Sequence, residues 1–566
     1  MKGLNALAEI LRKESVKFVF GYGGGGFDFW DALYEDQQIK PILTRIETSC
    51  VFMAMAHARL TRNPGITFTS AGPGAANLTA GLLEAYSACA PVISIAPSTS
   101  QRFEGMGVLQ ETDMVSTFKQ ITKWSVRIPV PEKIPWVMRR AFYLALNGKP
   151  GPIFVEIPGD VGGADAEIPE YTPAERMVRC RGDPNRIGEA TNLLLKAERP
   201  VIVAGGGVVL SKAFEELRQF AELLGIPIMT TPMGRGCIPE DHPLALGLVG
   251  IYWTKVGKKV YEESDLVISI GSRNEDLESG RFTYFPEGAK LIQIDIDPFE
   301  LGRNYLPDVA IFGDAKMVLT DLMQSMGSKI EKKGMESQRI KELLKVKEEY
   351  EAVVEAECRS DSVPIKTRRV VKTLSEVFGR DTILSNENGM MDLWSYYFPY
   401  YKVLDIGGCI GMTDQTCMGM GVTQAIGAKL TLPEKKVVCT TGDAAFQMFS
   451  KELATAVQYK APVTWVVLNN FSLGWDKYIQ KVFYDERFVL SDFEFQPDFV
   501  KIAEAYKCYG EHVEEPGDVE STLRNALKAN EEGIPAVVEF VVDPWDRPEG
   551  FDEWHLRRAE RPRKIF

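Results

Sequence analysis

The 566 residues carry 78 acidic against 65 basic side chains, for a formal charge of −13, with 45% hydrophobic and 25% charged residues. This is an ordinary globular composition, long enough for roughly three to four domains. The charge gives no drive toward nucleic acid or anionic lipid, and no run reaches the ~18 apolar residues of a membrane span, so neither partner is expected. Nine scattered cysteines without a CxxC pair indicate neither a disulfide framework nor a zinc site and suit a reducing, cytoplasmic setting.

Taken in chain order, MKGLNALAEILRKES has charges inside its apolar period and predicts an amphipathic helix rather than a signal peptide. Residues 1–165 then alternate β-rich runs (FVFGY, PILTRI, GITFTS, PVISIAPS, GPIFVEIP) with helical stretches, the pattern of a parallel sheet covered by helices. A linker rich in Gly, Pro and charge leads to a second α/β unit over 185–325, with strands at RPVIVAGG, IPIMTT, DLVISIGS and KLIQIDID. VIVAGGGVVL is not a nicotinamide fingerprint: Leu210 stands where the third glycine belongs, and IPIMTT ends without the acidic residue that holds a ribose. Residues 327–361 are strongly charged, and KELLKVKEEYEAVVEAE predicts a solvated helix joining domains. A third α/β unit spans 365–543, and residues 544–566 form an aromatic and basic tail, a lid or a docked terminus.

Within the third unit, KKVVCTT and PVTWVVLNN read as buried strands joined by the helical SKELATAVQY. Strand, helix and strand make a right-handed crossover between parallel neighbours, which brings Asp443 and Asn470 to the carboxyl edge of one sheet. Each alone suits a cap or a turn. Together, the Asp443 carboxylate, the Asn470 side-chain oxygen and the backbone carbonyl of Ser472 offer the hard oxygens that Mg²⁺ prefers, beside a helix start that favours phosphate. In the first unit, KPILTRI is followed at once by Glu47 and a helix. Ile46, Val51, Phe52 and Met53 give Glu47 apolar surroundings in which a carboxyl can share a proton with a ring nitrogen.

The GDA and NN at this interval resemble the thiamine diphosphate (ThDP) motif, GDG in its common form and GDA in the acetolactate synthase branch. The resemblance implies that Gly442, Asp443, Ala444, Ala445, Asn470, Leu473 and Gly474 hold the diphosphate, with Mg²⁺ on Asp443, Asn470 and Ser472. SAGPGAANL resembles the family's SGPGATN and implies cofactor contacts at Pro73 and Asn77, with Glu47 bonded to the aminopyrimidine ring. FGYGGGGFDFWDAL resembles FGYPGGA, which brings in Gly25. The segment GVLQETDMVSTFKQITKWSV is similar to the family's FQE and TKW region; it sets Gln110 beside Glu47 as the second catalytic residue and Lys123 near the substrate channel. TCMGMGVTQAIGAKL resembles GTMGFGLPAAIGAKV and makes Met418 the apolar wedge under the bent cofactor.

The implied fold is α/β, three doubly wound parallel-sheet domains: pyrimidine-binding, central, and diphosphate-binding. FAD, ADP or nothing occupies the central domain in such enzymes. The implied activity is a Mg²⁺- and ThDP-dependent decarboxylase or carboligase acting on a 2-oxo acid or related carbonyl compound, in a homo-oligomer (dimer or tetramer) whose active site is shared between subunits. The substrate end departs from acetolactate synthase. Gly389, Met390 and Met391, within SNENGMMDLW, replace its GQHQ and approach the SEGANTMD of 2-hydroxyacyl-CoA lyases and oxalyl-CoA decarboxylases, so that activity is an alternative. Trp475 and Ile479 stand at its acceptor-selecting positions and Leu109 replaces its Phe, predicting an apolar pocket with Met390 and Met391. A non-catalytic regulatory protein of the same fold is a further alternative.

Overall fold

The computed structural model describes residues 1–34, 36–327 and 334–557. Three six-stranded sheets, parallel throughout, carry the architecture. The first contains β1 (Phe18–Gly21), β2 (Lys40–Leu43), β3 (Gly65–Phe68), β4 (Val92–Ser98), β5 (Trp124–Arg127) and β6 (Ile153–Pro158), in the order β2-β1-β3-β4-β6-β5. The central sheet contains β7 (Pro200–Ala204), β8 (Ile228–Thr230), β9 (Ala245–Leu248), β10 (Leu266–Ile270), β11 (Lys290–Asp295) and β12 (Val309–Phe312), in the order β12-β11-β10-β7-β8-β9. The third contains β13 (Thr382–Asn386), β14 (Cys409–Ile410), β15 (Lys436–Gly442), β16 (Thr464–Asn469), β17 (Tyr509–Val513) and β18 (Ala536–Val541), in the order β14-β13-β15-β16-β18-β17. The interior strands β7, β10 and β16 are buried along their whole length, because helices cover both faces of a parallel sheet.

The first and third sheets share one strand order, the topological form of the βαβ rhythm visible in both sequences. The central sheet has the order of a dinucleotide-binding fold, with its switch point between β7 and β10. There the Gly207 amide donates to the Gly271 carbonyl at 2.9 Å, so the two loops meet backbone to backbone.

By compactness the chain forms two units: Met1–Val178 with Thr413–Glu434 and Met448–Val463, and Arg179–Met412 with Lys435–Gln447 and Thr464–Phe566. In the first, helix Met420–Thr431 lies so close to helix Glu47–Thr61 that a Cβ on Gly427 would stand 2.6 Å from the Met53 carbonyl oxygen. In the second, the fully buried Arg235 joins Glu240 at 2.8 Å and donates to the carbonyls of Ser395 and Tyr401, linking the loop after β8 to the segment after β13.

The charged segment is less solvated than its composition predicts. Helix Gln338–Glu357 buries Ile340, Leu343, Lys347 and Val354, the first two in the core around the central sheet. Lys347 Nζ donates to the His242 carbonyl at 2.9 Å, and burial pulls its pKa down to about 8. Of the tail, helix Glu549–Leu556 buries Phe551, Trp554 and His555, while 558–566 lie outside the described residues.

Candidate active site

In the first unit, the carboxyl ends of β1 to β4 gather most of the residues singled out there. Glu47 is the first residue of the helix that follows β2 and is buried, and its carboxylate accepts from Asn77 Nδ2 at 2.9 Å. Pro73 opens the short helix Pro73–Ala76, one turn before Asn77. Only glycine fits at 74: an added Cβ would lie 2.1 Å from Ser70 Oγ and 3.2 Å from Glu47 Oε1. The glycine loop rests on the same segment, with Gly25 against Pro97 and Ser70. Gln110, at φ 61, lies against Gly72, which brings it beside the loop that holds Asn77. Leu109 next to it is 89% exposed. Met418 is half-buried before Gly419, whose positive φ and contact with Phe449 leave no room for a side chain. Phe449 in turn faces Phe52 of the Glu47 helix, ring centroids 6.1 Å apart.

In the second unit, β15 pairs with β16 in parallel, with Gly442 opposite Leu468, so Asp443 and Asn470 leave the sheet side by side. Asp443 is 1% exposed, and desolvation pushes its carboxyl up to about 7 against the opposing pull of nearby backbone amides. Asn470 Oδ1 accepts from the Ser472 amide at 3.3 Å, closing the turn that carries the Ser472 carbonyl. Gly474 is pressed to within 2.7 Å of Asn470 Nδ2 and 3.2 Å of the Met390 methyl at its Cβ position, which joins the Gly389-Met390-Met391 loop to the turn. Met390 and Met391 are buried, and around Gly389 and Gly442 a Cβ would meet nothing within 4 Å. A buried carboxylate beside an amide oxygen, a turn carbonyl and open glycine backbone suits a hard cation carrying a diphosphate. Among the described residues no cluster of three or more His, Cys, Asp or Glu is present.

Sequence models of the thiamine pyrophosphate enzyme family match in three parts: the N-terminal TPP binding domain over residues 1–117, the central domain over 187–322, and the C-terminal TPP binding domain over 387–540. A probable acetolactate synthase large subunit of Methanocaldococcus jannaschii is 38% identical over 558 residues, covering 96% of this chain and 92% of the relative. Its counterpart from Methanococcus aeolicus is 36% identical over 96% and 92%, and the acetolactate synthase isozyme 3 large subunit of Escherichia coli is 31% identical over 99% of both. The chain belongs to the thiamine pyrophosphate enzyme family, in its acetolactate synthase-like branch. It is a ThDP-dependent enzyme with a small-molecule substrate.

For this ThDP enzyme one expected site residue is corrected. Lys123 precedes β5 and so stands at the amino edge of the first sheet, opposite the carboxyl edge where Glu47 lies. Its Nζ donates to the carbonyls of Leu144 and Asn147 at the end of helix Ile134–Leu146, so it caps a helix rather than lining a channel. Trp475 and Ile479 lie on helix Gly474–Phe483, and Trp475 packs edge-on against Phe551 of the tail helix, centroids 4.7 Å apart, with Trp554 and His555 beside it.

Two residues of the site escaped sequence reasoning. Glu84 is fully buried and accepts from the backbone amides of Thr413 and Cys417, at 3.2 and 3.1 Å, which fixes the loop leading to Met418. Its signal was a carboxylate on the apolar face of AGLLEAYSA. Gln496 donates from Nε2 to Asp443 Oδ2 across 53 residues, and nothing in QPDF announces it. Among the described residues no helix is long and apolar enough to cross a membrane.

Proposed function

We propose that this enzyme is a Mg²⁺- and ThDP-dependent decarboxylase and carboligase that acts on a 2-oxo acid and joins the remainder to a second carbonyl compound. The observation that carries the reading is the buried Asp443 beside Asn470 and the open Gly442, in a chain with acetolactate synthase relatives along its whole length. The 2-hydroxyacyl-CoA lyase alternative draws only on SNENGMMDLW and is not favoured.

In this reading Asp443, Asn470 and the Ser472 carbonyl hold Mg²⁺, and Gly442, Ala444, Ala445, Leu473, Gly474 and the Gly389–Met391 loop receive the diphosphate. Glu47 and Gln110 face the aminopyrimidine, with Gly25, Pro73 and Asn77 around it and Met418 beneath the bend. Bound there, ThDP supplies a nucleophilic carbon and an electron sink for breaking and making carbon-carbon bonds. Glu47 holds and returns the proton exchanged with the ring nitrogen, and Asn77 fixes the carboxylate for that exchange through its 2.9 Å hydrogen bond. Buried Met390 and Met391 exclude water from the diphosphate end, while Leu109, Trp475 and Ile479 select the acceptor.

We further propose a cytoplasmic homo-oligomer, dimer or tetramer, with each site shared between subunits. The order of the central sheet supports a nucleotide such as FAD or ADP at its switch point. The test is turnover of the purified protein with and without ThDP and Mg²⁺ on 2-oxo acids, alone and paired with a second carbonyl compound, with products read by mass spectrometry. ThDP-dependent carbon-carbon products, lost in a folded Glu47→Ala variant, are expected; products that need no ThDP, or wild-type rates in Glu47→Ala, would overturn the assignment.

A further inference from the structure

The chain between Tyr484 and Gln496 is not used by the mechanism above, yet it touches the cation site at two points. At its far end, Gln496 Nε2 donates to Asp443 Oδ2, while Gln496 Oε1 accepts from Gln447 Nε2 at 3.1 Å. Gln447 is four residues along from Asp443 on the same helix, so the three side chains form a brace over its first turn. Just before it, residues 491–493 run antiparallel to the turn that carries Ser472. The Leu473 amide donates to the Ser491 carbonyl at 2.8 Å, the Phe493 amide donates to the Phe471 carbonyl at 2.9 Å, and Lys477 pairs with Asp492. Between these anchors and helix Gly474–Phe483 the side chains are exposed: Leu490 is 92% accessible, and the exposed Arg487 guanidinium pairs with the exposed Asp485 at 3.1 Å. The segment is thus fastened at the proposed metal-ligand positions and, between them, to helix Gly474–Phe483, where the Gln480 side chain bonds the Val489 backbone at 2.8 and 2.9 Å and Lys481 pairs with Glu486.

We propose that Gln496 is a positioning residue for the Asp443 carboxylate, and that docking of segment 484–496 is coupled through it to occupancy of the cation site; the inference rests on the function proposed above. Mg²⁺ demands near-ideal octahedral geometry, so a ligating carboxylate must hold one rotation about its Cβ–Cγ bond. A neutral donor on Oδ2 joins the nearby backbone amides in fixing that rotation and adds no competing charge. Outer partners of this kind typically contribute 10–100-fold in metal affinity. The coupling is reciprocal: a cation that holds Asp443 still strengthens the Gln496 anchor, and losing the anchor weakens the cation.

The test compares wild type, Gln496→Leu and Phe495→Ser, the last altering an 81% exposed neighbour while leaving the donor in place. Calorimetry gives Mg²⁺ affinity at fixed ThDP and ThDP affinity at saturating Mg²⁺, and limited trypsin digestion follows cleavage after Arg487. Gln496→Leu is expected to weaken Mg²⁺ binding about 10–100-fold, keep ThDP affinity at saturating Mg²⁺ within about twofold, and lose the protection of Arg487 that Mg²⁺ with ThDP gives the wild type. Phe495→Ser is expected to match the wild type in all three. Unchanged Mg²⁺ affinity in Gln496→Leu overturns the inference, and so does an equal loss of ThDP affinity at saturating Mg²⁺, the mark of general loosening. A wild type that binds no ThDP with Mg²⁺ overturns the proposed function itself, and with it this role.

Discussion

Asp443 and Glu47 occupy one local context, the first residue of a helix after a parallel strand, where backbone amides favour a carboxylate. For Asp443 desolvation wins, and its carboxyl rises from 3.8 to about 7. Between about pH 4 and 7 the folded, ligand-free chain keeps a proton that the unfolded chain has released, so its stability falls as pH rises through that window. A three-unit shift corresponds to roughly 4 kcal/mol at most. His57 runs the other way: buried and edge-on to Phe18, its pKa is lowered to about 4, and its contribution falls as pH drops from 6.5. The difference between wild type and Asp443→Asn therefore isolates the aspartate. Urea midpoints of the two apoproteins are expected to diverge from pH 5 to pH 8, the variant becoming relatively more stable, while added Mg²⁺ and ThDP stabilise the wild type alone; parallel pH profiles would reject the buried charge.

At the scale of elements, the site depends on a helix pair without a side-chain gap. Gly427 of helix Met420–Thr431 faces the backbone of Met53, so a methyl group there must separate it from the helix that begins with Glu47. Gly427→Ala is expected to cost about 1–3 kcal/mol, the range for overpacking, and to lower the urea midpoint accordingly; an unchanged midpoint would mean that the helices slide apart freely. This contact joins residues far apart in sequence, which is why periodicity predicts each helix but not the pair. Interior strands such as β7, β10 and β16 announced themselves through unbroken apolar runs. The edge strands β5, β9, β12, β14 and β17 did not, since a short edge strand need not carry a long apolar run, and neither did the interior β13, whose TILSN mixes polar with apolar residues; the edge strand β2 was legible in PILTRI. The same limit misled the reading of Lys123: its motif suggested a channel, whereas the strand that follows it fixes it on the amino edge. Helix Gln338–Glu357 looked solvated because charge outnumbers its narrow buried stripe. Asp443, Asn470 and Glu47 were legible because short turns fix their places on a sheet edge; Gln496 was not, since its contact is made by a loop with no period.

For the whole molecule, the first and third sheets repeat one strand order, and each carries candidate site residues at its carboxyl edge. Glu47 follows the second strand of one, while Asp443 and Asn470 follow the third and fourth of the other. Each unit also leaves large apolar side chains in water near these loops, Leu109 in the first and Leu490 in the second. A two-fold pair of chains that each lend one half to the other's site makes a strict prediction. Glu47→Ala and Asp443→Asn are each expected to be nearly inactive alone. Mixed, unfolded and refolded together, half of the dimers are heterodimers, and each of these has one site with both residues intact and one with neither. About a quarter of wild-type activity should return, by the symmetry of a shared site. If each chain instead builds its site alone, every site in the mixture lacks one residue, no activity returns, and the shared-site assembly is wrong.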